Sequence, residues 1–188
     1  EPGGGEGQAP VRLRLALRDS VAPRAAARIR AALAAAAAAA GDACLGAGCA
    51  LTAATPTPAG WGSEELPDGT AAGSRWPSGA ALLEGTLGRV GTTRTGAPPQ
   101  PVESNGTHAV RRGAAFWTPS GARAGDGPDF CVALADMPHM GVAQTVFAYV
   151  VSDDLPMLDE LAADAAAGRL RLPARLSLVG LSPSIPEA

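Results

Sequence analysis

Residues 11–18, Val-Arg-Leu-Arg-Leu-Ala-Leu-Arg, constrain the fold more than any other stretch of this chain. Val11, Leu13, Leu15 and Leu17 fall on one side of a period-two pattern, and Arg12, Arg14, Ala16 and Arg18 on the other. This is the pattern of a strand with one buried face, which needs both a sheet to pair with and a core to cover it. Short apolar runs recur at 80–91, 113–119, 129–135, 144–151 and 174–181, separated by turn residues, as expected of a mainly antiparallel β-structure. Two segments have helical character instead. Arg24 to about Ala40 forms one, with Asp19 or Ser20 as its cap and Gly41 as its stop; residues 155–168 form the other, amphipathic and ended by Gly168. The predicted order is strand, helix, many strands, helix, strand, with no internal repeat.

A chain of 188 residues suits one domain. Residues 1–10, rich in Gly and Pro, form a flexible lead-in; the domain spans 11–182, with a long loop insertion at about 41–80 that contains Trp61 and Trp76; residues 183–188 form a tail. All 15 basic residues are arginine, which suggests a GC-rich genome and makes the alanine run from Ala34 to Ala40 partly a codon effect. The net charge of −3 comes with no basic tract, so nucleic acid is not an expected partner. No apolar run of about 18 residues is present to span a bilayer. The chain starts at Glu1, consistent with a processed product.

Cys44, Cys49 and Cys131 have no zinc-ligand spacing. Cys44 and Cys49 are close enough to close a short disulfide loop, whereas Cys131 sits within an apolar strand pattern, as a buried thiol does. Asn105 begins an Asn-Gly-Thr glycosylation acceptor. Together these point to the secretory-pathway lumen or the extracellular space, with a reduced cytoplasmic or organellar protein as the alternative. His108 and His139 are the only histidines, and neither has a neighbouring Ser or Cys in a nucleophile arrangement. His139 with Asp136 and Met137 supplies too few ligands for a metal site, so no cofactor or metal is expected.

The segments Val11–Ile29, Gly127–Val151 and Asp153–Leu161 carry a family likeness. In the second of these, Phe130 and Phe147 keep a Gly-x-x-Phe strand and a Val-Phe strand at ungapped spacing, with Ala148 where glycine is usual. On these motifs the chain resembles the cyclophilin-type peptidyl-prolyl isomerases, in particular the divergent cyclophilin-like proteins of plants and green algae. The resemblance implies a closed eight-stranded antiparallel β-barrel capped by two helices.

It also implies an active site, and here the residues depart from the family. Cyclophilins carry an aromatic-x-Arg-x-x-Pro segment whose arginine holds the substrate carbonyl and weakens amide resonance, lowering a barrier of about 18–20 kcal/mol. The matching residues are Leu51 for the aromatic, Ala53 for the arginine and Pro56, and a methyl group cannot supply a guanidinium's charge or donors. Ala81, Leu82 and Glu84 stand at the family's Phe-Met-x-Gln pocket positions; Asp129, Cys131, His139 and Gln144 stand at its glutamine, phenylalanine, tryptophan and histidine. The catalytic set is therefore read as degenerate. If Glu84 and Asp129 lie close together, one pKa would be raised; two separately hydrated acids is the simpler alternative.

The resulting expectation is a non-catalytic module that binds other proteins, Pro-rich or extracellular glycoprotein components among them, with Trp117, Leu82 and Met140 as candidate contacts. Two alternatives stay open. Arg75, Arg89 or Arg94 could reach the slot from a neighbouring loop and restore weak isomerase activity, or the groove could bind Pro-rich segments without turnover.

Overall fold

The computed structural model describes residues 11–40, 49–56, 80–87, 103, 110–117, 129–137 and 144–181. Among these residues seven strands and two α-helices follow one another: β1 (Val11–Leu17), α1 (Pro23–Ala40), β2 (Ala50–Pro56), β3 (Ala80–Thr86), β4 (Ala114–Trp117), β5 (Asp129–Ala133), β6 (Val146–Val150), α2 (Leu155–Ala166) and β7 (Ala174–Leu181), with a 3-10 turn at Ser152–Asp154 before α2. The fold is mainly β with two helices, and no helix among the described residues is long and apolar enough to cross a membrane.

The expected closed eight-stranded antiparallel barrel is corrected. Among the described residues there are seven strands, neighbours in the order β1-β6-β4-β5-β3-β2-β7, and β7 returns to β1 in parallel. Parity requires this, because a ring with an odd number of strands cannot alternate direction at every junction. The β1–β7 contact carries the mismatch, from Val11↔Leu176 to Ala16↔Leu181. The β2–β7 junction is thin, with only Ala50↔Arg175 and Leu51↔Ala174 in register, so the barrel stands open along most of that seam among the described residues.

β1 pairs as its alternation predicts, with Leu13, Leu15 and Leu17 buried and Arg12 and Arg14 outward. β2 lies in a stretch read from sequence as loop. Its alanines and threonines give no period-two signal, and the strand is set by pairing with β3 and by Leu51, which is fully buried. The interior is one cluster in which these leucines meet Leu83, Phe130, Val132, Trp117 and Phe147. Both helices turn apolar stripes into it: Ala22, Ala25, Ala26 and Ile29 at the start of α1, and Leu158, Leu161 and Ala162 from α2.

The N-terminus of α1 is capped from outside its own sequence. One carboxylate oxygen of Glu103 accepts the backbone N–H of Arg24 at 3.0 Å and the other that of Ala25 at 2.8 Å, and the Arg24 guanidinium also donates to Glu103 at 3.0 Å. A carboxylate here satisfies two otherwise unpaired donors and faces the positive end of the helix dipole. Glu103 is itself held by its N–H, which donates to the hydroxyl of buried Thr145 at 2.9 Å. Asp19, a sequence candidate for the cap, instead pairs with Arg30, one arm of the pair measuring 2.6 Å. That hydrogen bond holds the Asp19 carboxyl below its ordinary value. At the other end of the chain Gly168 adopts φ +66° just after α2, the left-handed position where glycine ends a helix without steric cost.

Candidate functional site

The sheet brings three of the sequence-selected positions into one row. Ala53 on β2 is in register with Glu84 on β3, and Glu84 with Cys131 on β5. Cys131 continues the row to Phe116 on β4, and Phe116 to Val146 on β6. Leu82 lies two residues from Glu84, opposite Ala133, and Asp129 lies two residues from Cys131, opposite Thr86. Because side chains alternate across a strand, Leu82, Glu84, Asp129 and Cys131 share one face of the sheet, while Leu83, Phe130 and Val132 point into the barrel.

That outward face is partly apolar. Ala81, Val110, Ala114, Phe116, Cys131, Ala133, Met137 and Val146 form a second buried cluster, with Leu82 and Tyr149 against it. Met137 is fully buried and bridges to Val110, and Asp136 accepts the backbone N–H of Arg112 at 2.9 Å. Asp136 and Met137, two of the three residues weighed as metal ligands, thus have turn and packing roles, and no cluster of three metal-ligating residues occurs among the described residues. Cys131 is buried and not part of a disulfide. Glu84 is half-buried and accepts a hydrogen bond from the Thr55 hydroxyl; Asp129 is exposed at the start of β5. Glu84 therefore meets a neutral donor at the position where the family likeness implies a pocket.

Gln144 is half-buried ahead of β6, where its carbonyl accepts the N–H of Val146 at 3.1 Å. Trp117 is 2% exposed, with its ring 4.3 Å from that of Phe147 and the Arg28 guanidinium 5.8 Å from its centre. Core packing accounts for its environment, and it offers almost no surface to a partner. Phe116 was not singled out from sequence, yet it lies beside Cys131 as the aromatic residue of the row. The apolar run containing it was legible; its outward direction was not, because Ala114–Trp117 is buried on both faces and shows no alternation.

Several arginines are held elsewhere: Arg14 by Asp154, Arg24 by Glu103, Arg112 by Asp159 and Arg169 by Asp164. Arg75, Arg89 and Arg94, like His108, His139, Met140, Asn105, Trp61 and Trp76, lie outside the described residues. Cys49 is disulfide-bonded and buried, and Cys44 lies outside the described residues. The Cys49 sulfur sits 3.6 Å from the Leu87 carbonyl oxygen, a contact and not a hydrogen bond, since a disulfide sulfur has no proton to donate.

Compared with known proteins, the chain matches no family model and no curated protein sequence.

Proposed function

We propose that this chain is a cyclophilin-like domain without proline isomerase activity, acting as a structural or protein-interaction module in a larger assembly. The observation that carries the reading is the row Ala53–Glu84–Cys131. Where the resemblance calls for a guanidinium, a methyl group stands next to a carboxylate, and where it calls for an aromatic wall, there is a thiol. Twisting the peptide bond localises the lone pair on the prolyl nitrogen, where catalysis needs a fixed donor, and neither the Ala53 methyl group nor the Glu84 carboxyl group replaces a guanidinium there. The order of strands and helices, with one helix after the first strand and one before the last, supports the family likeness.

A proline-isomerisation assay with a short Xaa-Pro peptide tests this directly. The purified domain is expected to leave the uncatalysed rate unchanged; acceleration approaching that of ordinary family members would overturn the proposal and favour an arginine supplied by a neighbouring loop.

The disulfide at Cys49 supports placement in an oxidising compartment, the secretory lumen or outside the cell. Intact mass should rise on reduction and alkylation, and fall on glycosidase treatment if Asn105 carries sugar. Protein isolated from its native source with all three cysteines reduced would count against this placement.

A further inference from the structure

β1 has an unfinished edge. It pairs with β6 only from Leu15↔Val150 to Leu17↔Ala148, because the chain after Val150 leaves the sheet for the 3-10 turn and α2. At Arg14 the missing ladder is replaced piecemeal: its carbonyl accepts the Val151 N–H at 3.0 Å, and its N–H donates to the Asp154 carboxylate at 2.9 Å. Two residues back, backbone alternation turns the N–H and C=O of Arg12 toward the same side, where no strand among the described residues pairs with it. A cavity of about 370 Å³ opens there, lined by Arg12, Arg14, Asp153, Asp154 and Met157.

We propose that this recess docks a short extended peptide segment of another protein that carries an acidic side chain, adding to the free edge of β1 at Arg12. The cavity is near the lower end of the roughly 300–1,000 Å³ of typical ligand sites, enough for a few extended residues. The strand edge supplies one backbone donor and one acceptor, the usual basis of strand addition. Charge selects the segment. Arg14 is held in a bidentate pair by Asp154, whereas Arg12 is exposed, attracts Asp154 only at longer range and has no close ion pair among the described residues, so its guanidinium can meet a carboxylate of the ligand. Met157 offers a flexible apolar surface to the neighbouring residue. Asp153, with its side chain 78% exposed on the rim, disfavours a second acidic group on that side.

The proposal gives the interaction-module reading a specific surface. Failure here leaves the isomerase result untouched, so the two can fail separately.

The test is titration of the full chain with three blocked hexapeptides alternating valine with glutamate, with lysine or with serine, followed by amide NMR. The glutamate peptide is expected to shift the signals of Arg12, Asp153 and Met157. Arg12→Glu, at an exposed position that leaves the rest of the spectrum in place, should weaken it by about fivefold or more and strengthen the lysine peptide. The proposal is overturned by equal binding of the three peptides, by shifts confined to other surfaces, by binding that Arg12→Glu does not change, or by no shift at millimolar peptide.

Discussion

Phe130→Ala is expected to lower the free energy of unfolding by about 3–5 kcal/mol, the cost of deleting a fully buried aromatic ring and leaving a cavity. Phe130 is 0% exposed and sits where three elements meet. On β5 it is in register with Gly85 of β3 on one side and Trp117 of β4 on the other, and its ring lies edge-on to Phe147 at 6.4 Å. Gly85 shows how closely the ring is fitted, since a Cβ added there would lie 2.7 Å from the Phe130 ring and 3.1 Å from the Ala50 carbonyl oxygen. The space above β3 is thus filled by the ring of the next strand. Urea unfolding of wild type and variant at neutral pH measures the difference. A loss under about 1 kcal/mol would place the ring outside the core.

Asp154→Ala is expected to cost about 1.5–3 kcal/mol, the range for losing hydrogen bonds to a charged group. The Asp154 side chain is 14% exposed and works as a surrogate strand: it accepts the backbone N–H of Arg14 at 2.9 Å and the guanidinium of Arg14 at 2.6–3.1 Å, tying β1 to the start of α2. The guanidinium is 39% exposed and screened by water, so the backbone hydrogen bond is the larger part of the loss. The same contact sets a pH dependence. The side-chain hydrogen bond from Arg14, opposed by burial and aided by the backbone hydrogen bond, holds the Asp154 carboxyl below its ordinary 3.8. A lowered folded-state value means that the contribution is fully present above about pH 4 and is lost as pH falls through the folded value. Asp19, lowered by Arg30, acts in the same direction. Wild type and Asp154→Ala should therefore differ by a constant amount from pH 7 to about pH 5, and the gap should narrow as pH falls further below about 4. A gap that stays constant down to pH 2 would remove Asp154 as its source.

The candidate site was legible as residue types and only partly as a place. The substitutions at Ala53, Glu84 and Cys131 can be read from the sequence once a family likeness is assumed, and register then makes them neighbours. Trp117 shows the limit of such reading. An aromatic residue at a strand end suits an interface as well as a core, and only the stack on Phe147 places it inside. Phe116 is the converse case, an apolar residue in an all-apolar run whose direction depends on the irregularity between Ala115 and Phe116 in the β4–β6 register.

Local pattern alone determined β1, both helices and the stop at Gly168, because each rests on interactions within a few residues: alternation against a core, a 3.6-residue stripe, a left-handed glycine. The tertiary structure decided what depends on partners distant in sequence. It decided that seven strands and not eight make up the sheet among the described residues, that one junction is therefore parallel, that Glu103 caps a helix that begins 80 residues earlier at Pro23, and that Asp154 meets the edge of β1 at Arg14. Strand pairing and capping across such separations depend on which backbone groups meet in space, and hydropathy along the chain carries no record of that.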